Sequence, residues 1–165
     1  PDRLDLLAAA EAGRELHGRI VLASLERVTP LLVSPAGELQ VAMQLGRDPG
    51  GTYRLSGSIR GNLILQCQRC LEALPWPLDV EFRLGLVRSQ EAAERLARGY
   101  EPLLVTAEPA CVADIVSDEV LLALPFAPVH EDPDECHGMY KDYQPSCDVQ
   151  RENPFAVLAG LKQKQ

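Results

Sequence analysis

A chain of 165 residues, 46% of them hydrophobic, fits one domain with a core of its own. No apolar run reaches the length of a bilayer span, and Pro1-Asp-Arg-Leu-Asp5 lacks the basic-then-apolar pattern of a secretory leader, so a cytoplasmic protein without membrane contact is expected. The net charge of −8 opposes long-range attraction to nucleic-acid phosphate, and an odd count of five cysteines argues against a closed disulfide framework.

The charge is unevenly placed. Residues 1–100 carry 12 acidic and 12 basic side chains, whereas residues 101–165 carry 12 acidic and 4 basic ones. The acidic surplus therefore sits in the last third, where it suits a basic partner.

Near the start, Asp5 can cap an Ala-rich helix running to about Leu16 and ended by Gly18. Arg19 to Ala23 reads as a short strand. Ser24 can cap a helical turn, Leu25 to Val28, which Pro30 interrupts. Leu39, Val41, Met43 and Leu45 then alternate with polar or small residues, as in a half-buried strand. Asp48-Pro-Gly-Gly51 is a turn by composition.

The next stretch has one apolar parity, Leu55, Ile59, Leu63, Leu65 and Cys67, with Gly57 and Gly61 in the gaps. Arg54, Ser56, Ser58, Arg60, Asn62 and Gln66 hold the other parity. After Cys70, Leu78, Val80, Phe82, Leu84 and Leu86 alternate with Asp79, Glu81 and Arg83. Three long antiparallel strands follow from this, the last two meeting at a Cys-x-x-Cys turn. The strand glycines indicate close backbone approach or bending.

Ser89 can cap a helix from Gln90 to Arg98, which Gly99 ends. Pro102 to Thr106 reads as a further strand, and Ala110 to Leu124 has helical periodicity up to Pro125. The expected fold is α+β: an antiparallel sheet of three to five strands flanked by helices, forming one domain over residues 1–130. Residues 131–152 are acidic and contain prolines, as a loop or linker does. Asn153-Pro154 opens a short C-terminal helix to residue 165, with Phe155, Leu158 and Leu161 as its apolar stripe.

Two cysteines separated by two residues can aim both sulfurs at one point, which serves a soft metal, a redox pair or a packed corner. For a metal, His130 and Cys136 can join Cys67 and Cys70 in a four-ligand set of types suited to structural zinc. That arrangement requires the loop after residue 126 to fold over the cysteine turn; His137 and Cys147 are further thiophilic or imidazole candidates. A thioredoxin-like pair needs a helix N-terminus, and Pro75 and Pro77 oppose a helix after Cys70. Arg60 and Arg69, with Arg54, can present a basic strand face to phosphate or to a carboxylate-bearing partner. Asp118 and Glu119 sit within an apolar helix; Glu119, near Ile115, needs a partner if buried, for which Arg60 or Arg69 is available. No Ser-His-Asp order or phosphate loop is present, and no enzyme is expected.

Four blocks then point further: Cys67-Gln-Arg-Cys70-Leu-Glu72; Asp118-Glu119-Val-Leu-Leu-Ala-Leu-Pro125; Pro128-Val-His130 with nearby Cys136; and Asn153-Pro-Phe-Ala-Val-Leu-Ala159. In this order they resemble the bacterial YceD family, described as a large ribosomal RNA subunit accumulation protein. The first fifty residues match loosely, and Cys111 and Cys147 fall outside the family pattern. The resemblance implies a role in making, processing or stabilising large-subunit ribosomal RNA, with no catalytic residues to carry over. The partners it implies are a ribosomal precursor, a ribosomal protein or an RNA-processing enzyme, met directly on RNA or through protein. Candidate contacts are Arg60, Arg69, Asp118, Glu119, Phe155, Leu158 and Leu161.

Overall fold

The computed structural model describes residues 2–136. Its centre is a five-stranded sheet of order β2-β3-β4-β5-β6, built from β2 (Glu15–Val21), β3 (Glu38–Arg47), β4 (Tyr53–Gln66), β5 (Ala73–Val87) and β6 (Glu101–Leu104). The first four pair antiparallel; β6 returns parallel to β5 after the crossover that holds α2 (Gln90–Glu94). A separate two-stranded ribbon pairs β1 (Arg3–Leu4) with β7 (Ala110–Cys111), and it flanks α1 (Leu6–Glu11) and α3 (Val112–Ala123).

Alternation decides the layering. On the inner face, Leu39, Leu45, Leu55, Ile59 and Leu63 are fully buried, and Met43, Leu78, Phe82 and Leu84 complete the sheet's share of the core. Leu6, Ala9 and Ala10 of α1, the 22–28 segment, and Val116 and Val120 of α3 close this face. Burying an apolar side chain of this size contributes roughly 1.5–3 kcal/mol, so this layer supplies most of the driving force. The other parity, with Arg54, Ser56, Ser58, Arg60, Glu81 and Arg83, faces solvent.

At Gly57 the long hairpin leaves no room for a side chain. A Cβ there would lie 2.5 Å from both the Ala42 carbonyl oxygen and the edge of the Phe82 ring. The aromatic ring lies across the glycine, filling the space a side chain would otherwise take.

The strand pattern, the Asp48–Gly51 turn and the Asp5 cap appear as expected. Asp5 Oδ1 accepts from Leu7 N at 3.1 Å and Ala8 N at 3.0 Å. Helix lengths differ. Gly13 takes φ +62° and stops α1 at Glu11, so the stretch expected to be helical through Leu16 is already β2 from Glu15. Ser24 does not cap a helix; its hydroxyl donates to Val21 O, and two 3-10 turns, Leu22–Ser24 and Thr29–Leu31, replace the single turn, with Pro30 inside the second. Ser89 caps α2 through Ala92 N, yet α2 ends at Glu94 and not Arg98, because Leu96 is drawn onto the outer face over Gly85. Ala110 and Cys111 are extended and pair with β1, which delays α3 to Val112. The later part of the acidic segment and the C-terminal helix, with His137, Cys147, Phe155, Leu158 and Leu161, lie outside the described residues. Among the described residues no helix is long and apolar enough to cross a membrane.

Candidate metal centre

The β4–β5 hairpin is paired up to Gln66 and Ala73, leaving residues 67–72 as its tip. Cys67 N donates to Glu72 O and Leu71 N donates to Cys67 O, both at 2.9 Å, which folds the tip into a knuckle. Leu71 pays for the tightness of that bend with φ +64°, a conformation that L side chains rarely adopt. The knuckle carries the sulfurs of Cys67 and Cys70 to the side facing the chain that leaves α3.

That chain is held against the tip by its backbone. Gln68 N donates to Pro128 O at 2.8 Å, and two residues later His130 turns inward and is buried. The 3-10 turn Pro133–Glu135, with Asp132 Oδ1 accepting from Asp134 N, brings Cys136 back to the same point. Sulfurs and ring nitrogen thus converge from two segments sixty or more residues apart. Cys67 Sγ lies 4.0 Å from Cys136 Sγ, and His130 Nδ1 lies 3.5 Å from Cys70 Sγ and 3.6 Å from Cys136 Sγ. All four ligand atoms lie within 4.8 Å of one another.

These separations can be compared with what a tetrahedral ion requires. Zinc–sulfur bonds of about 2.3 Å and zinc–nitrogen bonds of about 2.0–2.1 Å give edges of about 3.8 Å between sulfurs and about 3.5 Å between sulfur and nitrogen. The His130–Cys70 and His130–Cys136 edges fit closely, the Cys67–Cys136 edge is slightly long, and the remaining edges stay within 4.8 Å. Three thiols and one imidazole are also the donor types a divalent soft ion selects. The four residues can therefore hold a metal ion.

The electrostatics point the same way. Burial by itself pushes the Cys67 thiol up. The backbone N–H groups of Cys70, His130 and Arg69, with the Cys70 thiol, outweigh burial and bring Cys67 down to about 5. Arg69 N lies 3.4 Å from Cys67 Sγ. Cys136 moves oppositely, to about 11, through burial and its crowding against Cys70 and Cys67. Negative charge is favoured at one sulfur and disfavoured at its neighbour, a conflict that a cation among them would relieve.

The other candidate residues disperse. Arg60 Nε lies 2.9 Å from Asp79 Oδ1 on the outer face. Arg69 stands at the knuckle, its Nη1 3.8 Å from Cys136 Sγ, where it neighbours the cluster instead of the Arg54 face. Asp118 pairs with Arg27. Glu119 is only 7% exposed, and neither Arg60 nor Arg69 reaches it; burial, then Glu101 and Asp118, raise its pKa. Cys111 sits half-buried at the start of α3, away from the cluster. Sequence reading missed Arg27 as the partner of Asp118 and Tyr100 on the outer face. Alternation places Arg83 on the same parity as Asp79 and Glu81 but gives it no role; Tyr100 had no signal.

Comparison with known proteins adds three findings. A family model described as "Large ribosomal RNA subunit accumulation protein YceD" matches residues 55–162. A protein of Haemophilus influenzae with that same description is 30% identical over 169 aligned positions, covering 99% of this chain and 97% of the relative. No solved structure matches.

Proposed function

The chain belongs to the YceD family, and from that premise we propose that it supports the accumulation of large-subunit ribosomal RNA by binding, as a scaffold whose hairpin tip is closed around zinc. The observation that carries this reading is the complete ligand set. Structural zinc sites take four protein ligands, whereas catalytic ones keep a position open for water or substrate. Cys67, Cys70, His130 and Cys136 fill all four positions, so the ion would fasten the 126–136 segment to the sheet and leave no coordination site for chemistry. His130 would bind through Nδ1, the ring nitrogen facing the sulfurs.

The acidic sequence beyond the cluster then supplies the contact with a basic partner: a ribosomal protein, an immature ribosomal particle or an RNA-processing enzyme. Phe155, Leu158 and Leu161 give that segment an apolar stripe to dock with. Asp118, already paired, and Glu119, already buried, have little to offer such a partner; Arg69, exposed beside the cluster, is better placed.

Elemental analysis of protein purified without chelator tests the centre, with one zinc per chain expected. Co-sedimentation with large-subunit precursors tests the role. A chain truncated after residue 137 keeps all four ligands and is expected to bind zinc but leave the precursor fractions. Retention of the truncated chain on precursors at the level of the full chain would refute the assignment of the binding segment.

A thiol redox function for Cys67 and Cys70 is the second reading, favoured by the lowered Cys67 thiol. It requires a metal-free chain in which these two sulfurs oxidise reversibly. Stoichiometric zinc that survives mild oxidant would eliminate it.

A further inference from the structure

At the opposite end of the hairpin from the cysteines, the outer face of the sheet forms an open trough of about 720 Å³. Its floor is β3 to β5, where Ala42, Ser56 and Ser58 keep the surface low. One wall is the Asp48–Pro49 turn. The other comes from the segment after α2. Leu96 packs onto Gly85, where a Cβ would lie 2.6 Å from its methyl groups, so glycine is what lets this segment settle on the outer face. Tyr100 is thereby delivered to the trough, with its hydroxyl 3.2 Å from Asp48 Oδ2.

Charge within the trough is sorted by who already has a partner. Glu15 accepts from Gln44 Nε2 at 2.9 Å. Asp48 accepts from Thr52 N at 2.8 Å and binds Tyr100. Glu81, opposite Ser58 across the strand pair, also lines the trough and makes no side-chain hydrogen bond or ion pair among the described residues. The trough's arginines are likewise without ion pairs. Among the described residues the ion pairs engage Arg19, Arg27 and Arg60, none of which lines this trough. Arg47, Arg54 and Arg83 do line it, and none has a carboxylate partner among the described residues. Arg54 Nη1 donates to Ser56 Oγ at 3.0 Å, and Arg47 Nε donates to Gly51 O at 2.9 Å with its guanidinium over the Tyr53 ring, so two of the three are oriented by neutral groups. Arg83 faces Ser56 across the strand pair, next to Arg54 on the diagonal.

We infer that this trough binds the phosphodiester backbone of single-stranded RNA, with Arg54 and Arg83 on phosphate oxygens and Ser56, Ser58 and Tyr100 as neutral hydrogen-bonding groups along the strand. Guanidinium forks match phosphate oxygens in pairs, and serine and tyrosine hydroxyls are common phosphate and sugar contacts. Tyr100 and His17 are the rings at hand for an unstacked base. The trough's three arginines are matched in number by Glu15, Asp48 and Glu81, so its lining is neutral overall and the attraction for phosphate is local to the adjacent Arg54 and Arg83. The inference deepens the proposed role, resting on it for the identity of the polymer, and it makes RNA contact direct and places it away from the zinc corner.

The test is fluorescence anisotropy of a labelled twelve-nucleotide oligouridylate with the full chain, over a salt series. Binding at low salt is expected. Arg54→Gln with Arg83→Gln should weaken it about tenfold or more and lower the salt slope by about 1.4, at about 0.7 for each lost single-strand phosphate contact. Arg3→Gln with Arg88→Gln removes the same charge elsewhere and should change affinity less than twofold. If the first pair folds poorly by circular dichroism, Ser58→Glu puts a carboxylate on the floor, leaves both arginines in place, and should weaken binding as strongly. No binding by the unaltered chain would overturn the inference, as would equal losses from both arginine pairs. Stronger displacement by polyglutamate than by unlabelled oligouridylate would overturn it in favour of an acidic protein, and saturation by adenosine monophosphate at the same affinity would overturn the strand assignment. Co-sedimentation and zinc content are read on the same preparations: a chain that joins precursors yet ignores the oligomer defeats the trough and leaves the scaffold role standing.

Discussion

At its tip the β4–β5 hairpin carries Cys67 and Cys70, and at its base the same two strands carry Arg54 and Arg83. The tip has almost no apolar support: residues 67–72 are a knuckle, and what meets it is a loop whose buried contribution is largely His130. The base rests on Leu55, fully buried, and Leu84 on the inner face, with α1 and α3 beyond. The tip therefore has little packing to set its shape, and the base has much. One consequence is that the base can carry an open site on packing alone, whereas a cation held by the four-residue cluster would fasten the tip.

The largest effect should come from breaking the tip. Cys70→Ser is expected to lower bound zinc from one per chain to near zero and to remove several kcal/mol of stability, since metal binding to such sites is coupled to local folding. Hydrogen exchange should show the loss confined to residues 67–72 and 126–136, with the strand cores of β3 and β4 still protected. Equal loss of protection throughout the sheet would erase the distinction between the two ends.

Next in size is a packing change within the hairpin. Gly57→Ala forces a methyl group to within 2.5 Å of the Ala42 carbonyl, a backbone atom that cannot rotate away. A cost of about 2–3 kcal/mol is expected, as for overpacked cores, read as a lower denaturation midpoint with unchanged zinc content. Asp5→Ala should cost about 1 kcal/mol by releasing the amides of Leu7 and Ala8, again with zinc retained. Loss of zinc in either variant would show that the tip leans on the packed layer more than its contacts indicate.

The sheet was legible in the sequence because a period of two needs only local reading. Leu39 to Leu45 and Leu55 to Leu65 announce which face is buried without reference to anything distant. The four-residue cluster was legible in part for another reason: few side chains can share one cation, so Cys67, Cys70, His130 and Cys136 form a short set of candidates whatever their separation. The helix ends were not legible, since Gly13 and Leu96 decide them through a left-handed turn and a tertiary contact over Gly85. The arginine trough was the least legible. Its character depends on which cations lack carboxylates, and Arg60 and Arg54 look alike in sequence until Asp79 is seen to take one of them.

The smallest effect concerns Glu119, which belongs to the packed region but does not help to hold it. Its carboxyl is buried on α3, and burial, then Glu101 and Asp118, raise its pKa above the ordinary value of 4.5. In the range between the unfolded and folded pKa the native state binds the extra proton, so this group favours folding below about pH 4.5 and that contribution is lost as pH rises through the folded value. Glu119→Gln removes the titration and keeps the shape. The variant should therefore be more stable than the parent at pH 7, by about 1 kcal/mol or less, and the gap should close as pH falls toward about 4.5. Paired thermal melts across that range read the sign directly. A variant less stable than its parent at pH 7 would mean that a cation reaches this carboxylate, and the base of the hairpin would then depend on charge pairing as well as packing.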